Sequence, residues 1–180
     1  WNLTGGRVHA TDITNASRTS LMNIHIGAWD YQLGHVFGID PKVLESALPE
    51  IHPSVHDFGT VAQGLAVAGV PITGVLGDQQ AASFGQTIFS AGEAKNTYGT
   101  GCFMLMNTGQ AAVPSANRLL TTVGWRGATD DAATYCLEGS VFLAGATVQW
   151  LRDGLQIIER AADIEALAAS VPDTGDVYLV

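Results

Sequence analysis

The chain has 180 residues, of which 47% are apolar and only 14% are charged, and its formal net charge is −9. That apolar content supports a core and excludes wholesale disorder, while the charge content is far below the roughly 25% of an average soluble domain, so some surfaces are expected to meet other protein. Lys and Arg form no run, which disfavours binding to a nucleic-acid backbone.

Residues 11–19, Thr-Asp-Ile-Thr-Asn-Ala-Ser-Arg-Thr, read as a polar loop ending at a helix N-cap, with Asn15 or Ser17 as the capping side chain. A helix is predicted over residues 18–24 and a second over 29–37, stopped by Gly38. Asp40-Pro41 starts a third, with Asp40 as cap and Pro41 at the first helical position. Residues 51–69 read as loop, punctuated by Pro53, Gly59, Gly64 and Gly69. Residues 70–76, Val-Pro-Ile-Thr-Gly-Val-Leu, read as a buried strand, and a helix follows over 79–86.

After Gly92 the texture changes to Thr, Tyr, Phe, Val and Gly. Four short strands are predicted, near 94–99, 102–107, 119–125 and 133–138. A helix over 140–153 is apolar nearly all round and is expected to be buried. An amphipathic helix near 164–170 closes the pattern. The change near 87–93 suggests a boundary between two structural units.

The longest apolar stretch, Gly139–Leu151, is shorter than the about 20 residues of a membrane span. No charged segment precedes an apolar run at the N-terminus, so no signal peptide is expected. Cys102 and Cys136 form no CxxC pair and read as buried free thiols of a reducing compartment. The start on Trp1 and the apolar, strand-like close Tyr178-Leu179-Val180 read as an internal piece of a longer protein.

Asp78 is the leading candidate for chemistry. It stands where a predicted strand gives way to a helix, and ligands of open α/β sheets bind at such strand ends. A carboxylate there can serve as general base to a hydroxyl within hydrogen-bond reach. It can equally cap the helix, and position alone favours capping. Gln79 and Gln80 can both donate to and accept from a polyhydroxyl ligand, or lie on the helix surface. Gly99-Thr100-Gly101 can bring backbone N–H groups and a hydroxyl to a phosphate, or simply turn a hairpin. Gly145 and Gln149 are four apart and share a helix face. They can border a flat ligand, or serve helix packing and a local hydrogen bond. His52 and His56 have i,i+4 spacing, but Pro53 lies between them and no metal site is expected.

Four segments together resemble the FGGY carbohydrate kinases, within them the glycerol-phosphorylating branch. They are residues 11–19, Gly77-Asp78-Gln79-Gln80-Ala81-Ala82, Lys95-Asn96-Thr97-Tyr98-Gly99-Thr100-Gly101-Cys102-Phe103-Met104-Leu105, and Glu138-Gly139-Ser140-Val141-Phe142 running on to Gln149-Trp150-Leu151-Arg152-Asp153. The resemblance implies an α/β, actin-like ATPase (ribonuclease-H-like) fold. Residues 1–87 would end the first, substrate-side domain and residues 88–180 would begin the second, ATP-binding domain. It implies ATP-dependent phosphorylation of glycerol to glycerol 3-phosphate, with Asp78 as catalytic base and Gln79 on a glycerol hydroxyl. Thr100 would contact ATP phosphates, and Gly145 and Gln149 would line the nucleoside pocket. Asp12 is a second carboxylate, expected to organise its loop. Mg2+ would accompany ATP, its main ligands lying in an N-terminal part not contained in this chain, so the chain alone is expected to be inactive. A cytoplasmic, homo-oligomeric enzyme is implied, with no nucleic-acid partner. Kinases of another polyol or ketose, and a non-catalytic actin-like nucleotide binder, are the alternative readings. The stretch Gly64-Leu65-Ala66-Val67-Ala68-Gly69 has no Arg where some relatives bind a sugar bisphosphate, so such inhibition is not expected here.

Overall fold

The computed structural model describes residues 1–178; the last two residues of the apolar close, Leu179 and Val180, lie outside it. The chain divides into two compact units. Unit 1 comprises Trp1–Lys95 and Met104–Gly139, and unit 2 comprises Asn96–Phe103 with the chain from Ser140 onward.

Unit 1 opens with β1 (Ala10–Asp12), which pairs in parallel with β4 (Glu50–His52), Asp12 lying opposite His52. Residues 51 and 52, read from the sequence as loop, therefore belong to a strand. Between these strands come α1 (Ile13–Ser17), the hairpin β2 (Met22–Asn23) and β3 (Ala28–Trp29), α2 (Tyr31–Val36) and α3 (Pro41–Ala47). The start of α3 is as expected: Asp40 Oδ1 accepts from the Lys42 amide, with Pro41 inside the first turn. Asp30 caps α2 in the same way, and Gly38 ends that segment in the left-handed region at φ 70°.

The first helix differs from expectation. Its cap is Asp12, whose carboxyl accepts from the Thr14 and Asn15 amides, and it runs over residues 13–17 instead of 18–24. An Asp at this position satisfies two of the amides that a helix start leaves unpaired. Ser20 then takes a left-handed conformation at φ 62°, which excludes a helix through 18–24.

The expected strand over 70–76 is absent. That segment runs beside residues 54–61 as an irregular antiparallel ribbon, with backbone bonds such as the Phe58 amide to the Ile72 carbonyl (2.9 Å) and the Ile72 amide to the Gly59 carbonyl (2.7 Å), but it forms no continuous ladder. Pro71 offers no N–H and Gly74 no side chain to pack, so the ladder does not propagate. Val70 is half exposed.

A four-stranded sheet follows in the order β5-β6-β8-β7, built from β5 (Ala94–Tyr98), β6 (Cys102–Gly109), β7 (Leu120–Trp125) and β8 (Thr134–Val141). All four lie close to the predicted segments. The β7–β8 pairing is antiparallel, with a bulge between Val123 and Trp125. The core of unit 1 sits where α1 meets this sheet: Ile13, Ala16 and Met22 pack with Val123, Ala133 and Tyr135. The Tyr135 hydroxyl donates to the Ile24 carbonyl at 2.8 Å, so its polar end is satisfied as its ring is buried.

In unit 2, Ser140 and Val141 end β8 and do not begin a helix. The helical stretch is α5 (Gly145–Gln149), continued by a π-helical turn over Trp150–Gly154. Neither contains a buried residue, and Leu143 just before them is 69% exposed. The expectation of a buried helix over 140–153 is thus corrected: a helix apolar all round is buried only where another surface covers it. A last helix, α6 (Asp163–Ala169), matches the expected amphipathic one.

Candidate active site

In unit 1 the site grows from the Asp12 carboxyl, which is wholly buried. Its Oδ2 accepts from the Thr14 amide (3.0 Å), the Thr14 hydroxyl (2.7 Å) and the Ser54 hydroxyl (2.9 Å). Its Oδ1 accepts from the Asn15 amide (3.0 Å) and the Asn15 side-chain amide (2.6 Å). Two oxygens already receiving five donors have no capacity left for a substrate proton. Asp12 therefore organises its loop, as expected.

The same web reaches the helix that carries Asp78. The Thr14 hydroxyl accepts from the Gly77 amide at 2.8 Å, and Gly77 is the N-cap of α4 (Asp78–Gly85). A Cβ on Gly77 would lie 2.6 Å from Gln80 Oε1, so any larger residue there would have to displace that side-chain end. Asp78 is the first helical residue and not the cap. It is exposed, and its Oδ1 accepts from the Gln79 amide at 2.8 Å. The capping reading of Asp78 is thus corrected, since Gly77 takes the cap position without a side-chain hydrogen bond, and the outer face of Asp78 stays open to solvent. A helix N-terminus favours a negative group.

Gln79 and Gln80 go separate ways. Gln80 is 2% exposed and donates to the Val123 carbonyl at 3.3 Å. It is neither a surface residue nor a ligand group; it ties α4 to β7. Gln79 is half-buried, and its Oε1 accepts from the Lys95 ammonium. Lys95 stands on β5 and is only 8% exposed. Burial lowers its pKa from the usual lysine value, while the negative charges of Asp78 and Glu138 act in the opposite direction. Glu138, on β8, is held by a two-pronged contact with Arg18, at 2.8 and 3.0 Å, and Arg18 also donates to the Thr122 hydroxyl. Lys95, Glu138 and Arg18 were given no role by sequence reasoning. The available signal was scarcity: a chain with eight Lys and Arg in total places one of them inside a strand.

In unit 2, Gly99-Thr100-Gly101 is the turn between the paired strands β5 and β6, closed by the Gly99 amide donating to the Gly101 carbonyl at 2.8 Å. This is the hairpin reading, with an addition. The Gly145 amide donates to the Gly99 carbonyl at 2.9 Å, and the Ala144 and Ala146 amides donate to the Thr100 carbonyl. The turn and the start of α5 are one hydrogen-bonded piece, which brings Thr100 and Gly145 together. A Cβ on Gly145 would lie 2.5 Å from the Gly99 oxygen, so glycine is required by that close approach. Gln149 follows at the end of α5 and is exposed. It is not the buried amide in need of a protein partner that the sequence suggested.

His52 and His56 stack face to face at 3.9 Å with Phe58 at their edges, and His52 Nε2 lies 3.3 Å from Glu50. Among the described residues no group of three His, Cys, Asp or Glu side chains could hold a metal ion. Cys136 is fully buried and Cys102 half-buried, neither in a disulfide. Burial pushes the Cys136 thiol up to about 11, with Lys95 acting against it and Glu138 with it.

Comparison with known proteins fits this layout. The family model for the N-terminal domain of the FGGY family of carbohydrate kinases matches residues 1–85, and that for its C-terminal domain matches residues 94–180. A glycerol kinase of Symbiobacterium thermophilum is 59% identical over the whole chain, which spans 35% of that relative. A glycerol kinase of Ralstonia pickettii is 56% identical with the same coverage. The chain thus spans about a third of the length of the curated relatives it matches. Among solved structures, Plasmodium falciparum glycerol kinase with ADP superimposes with a TM-score of 0.84 at 41% identity, covering 96% of this chain and 34% of that one. Rhodospirillum rubrum xylulose kinase does so with a TM-score of 0.67 at 26% identity, covering 94% of this chain and 34% of that one. The fold is therefore the actin-like ATPase fold of these kinases. With both halves of the family model lying in order on the sequence, the chain belongs to the FGGY family of carbohydrate kinases.

Proposed function

We propose that the protein carrying this chain transfers the γ-phosphoryl group of ATP to a terminal hydroxyl of glycerol. One observation carries the chemistry. Of the two candidate carboxylates, Asp12 is saturated by its own loop, whereas Asp78 stands exposed on a fixed helix start. In this reading the glycerol oxygen attacks the γ-phosphorus and the bond to ADP breaks. The hydroxyl proton passes to Asp78, giving glycerol 3-phosphate, ADP and a proton. Gln79 holds a glycerol hydroxyl beside it. Thr100, on the turn that carries the start of α5, meets the ATP phosphates, and Gly145 and Gln149 border the nucleoside. Phosphoryl transfer asks mainly for positioning and charge stabilisation, which suits side chains held by networks of this kind.

Mg2+ is usually held by one or two carboxylates together with the substrate's own phosphates; this reading takes those carboxylates from outside this chain and leaves Asp78 free to act as the base. When bound it would neutralise phosphate charge. No described helix is long and apolar enough to cross a membrane; the proposal takes the enzyme as cytoplasmic and homo-oligomeric, as the resemblance implies. The division of residues 1–87 and 88–180 between substrate-side and ATP-binding domains belongs to the same reading.

The test is ADP release by the full-length protein with glycerol, beside Asp78→Asn. Loss of a general base lowers turnover by about 10²–10⁴-fold, and that is the expected result. Turnover retained in the variant would remove Asp78 from its role. Faster turnover on a pentulose than on glycerol would move the substrate to another member of the family's range. A folded protein without turnover on any polyol would favour a non-catalytic nucleotide binder.

A further inference from the structure

Two consecutive residues face the proposed substrate with different hydrogen-bonding character, and the difference is imposed from behind. Asp78 is a carboxylate and accepts. Gln79 carries an amide that can present either its carbonyl or its NH2 group, and nothing in its own chemistry decides which. Lys95 decides it. An ammonium only donates, so the group it meets must be the amide oxygen, and Gln79 Oε1 is indeed its partner. The NH2 end then faces away from Lys95. The backbone of Gln79 is held as well: its main-chain N–H donates to Asp78 Oδ1 and its main-chain carbonyl accepts from the Ser83 hydroxyl at 2.9 Å. Lys95 itself is fixed by burial on β5 and by the charges of Asp78 and Glu138, the latter secured by Arg18.

We propose that Lys95 is a positioning residue for substrate selection: by occupying Gln79 Oε1 it sets the Gln79 amide as a donor next to the acceptor Asp78, a pairing that selects two neighbouring oxygens of a polyol. One hydroxyl directs its proton to Asp78, and the neighbouring oxygen accepts from Gln79 Nε2. A neutral residue at position 95 would free the amide to flip, and half of its orientations would set one acceptor against another. This inference rests on the function proposed above.

The experiment is steady-state kinetics on the full-length protein and on Lys95→Met, Gln79→Leu, the double variant and Lys95→Arg. Lys95→Met is expected to raise the glycerol KM by about tenfold, roughly one good hydrogen bond, with kcat changed far less. The double variant is expected to match Gln79→Leu alone, because Lys95 acts through that amide. Lys95→Arg, which also only donates, should restore KM to within about threefold. A residue that merely supports the fold would instead add its penalty to that of Gln79→Leu. A KM within twofold of the parent in an active Lys95→Met protein, or additive penalties, would overturn the proposal. If Lys95→Met does not fold, Gln79→Glu serves. It keeps a partner for Lys95 but has no donor, so an unchanged glycerol KM there overturns the proposal too. Absence of polyol turnover in the parent protein would sink the functional reading instead, which separates the two failures.

Discussion

The two units treat their candidate residues in opposite ways. In unit 1, Asp78 and Gln79 stand on a base of buried polar contacts: Asp12, Thr14 and Ser54 on one side, Lys95, Glu138 and Arg18 on the other. Beneath them lies a core from Ile13 to Tyr135. In unit 2, Ile158 is the one buried residue among those described, and Phe142, Leu143 and Trp150 are 75%, 69% and 46% exposed. Thr100 and Gly145 are held there by backbone hydrogen bonds alone. The difference teaches where preorganisation resides. The proposed substrate side is shaped by side-chain chemistry within this chain, and the proposed nucleotide side by a backbone turn and the absence of a Cβ.

Four perturbations of the full-length protein would break or sharpen that contrast. The largest effect is expected from Asp12→Ala. It leaves two hydroxyls and a side-chain amide without their acceptor, each costing about 1–3 kcal/mol, so unfolding should be easier by at least about 3 kcal/mol. Hydrogen exchange should quicken at the amides of Thr14, Asn15 and Gly77. Unchanged protection at Gly77 would show that the web does not hold the start of α4.

Next is an alkaline effect from Cys136. Its thiol is raised from 9.0 in the unfolded chain to about 11 in the fold. A raised acid of this kind stabilises below the unfolded value, and the contribution is lost as pH climbs from 9 through 11. Two pK units correspond to about 3 kcal/mol. Lys95, lowered by burial, works the other way, since its folded form sheds the proton first. Comparing melting of the parent and Cys136→Ala across that range isolates the thiol: the parent should lose stability more steeply. Parallel curves would mean that the thiol is not buried as described.

Gly145→Ala is expected to cost about 1–3 kcal/mol locally, the usual penalty of overpacking, because the new Cβ meets the Gly99 oxygen. Its signature is a raised ATP KM with the glycerol KM unchanged. A matching rise in both would contradict separate substrate and nucleotide sets. Smallest is Gln149→Ala. An exposed side chain changes stability by no more than about 0.5 kcal/mol, so thermal melting should hardly move. Only the nucleotide KM should respond.

Much of this was legible in the residues. The Asp40-Pro41 start of α3 and the four strands of the sheet rest on local chemistry, either a cap with a preset φ or a β-rich run broken by glycine. Asp78 was singled out from an expected strand end that the fold does not contain; of that reading only the helix start remains. What the residues did not show were facts of burial. The run 70–76 has strand composition, yet forms an irregular ribbon and no continuous ladder. The run 140–153 looks buried, yet ends one strand, starts a short helix and contains no buried residue. Gln79 and Gln80 are the same residue type side by side, and only the fold sends one to Lys95 and the other to Val123.

The sequence by itself determined the four strands after Gly92, the Asp40-Pro41 start of α3, and the motifs that place the chain among FGGY carbohydrate kinases. Those features depend on neighbours a few residues apart, which composition and spacing already specify. Tertiary structure decided which carboxyl is saturated and which is open, which amide oxygen meets an ammonium, and why Gly145 carries no side chain. Such choices depend on groups brought together from distant parts of the chain, and hydrogen-bond capacity and close approach exist only once those groups meet.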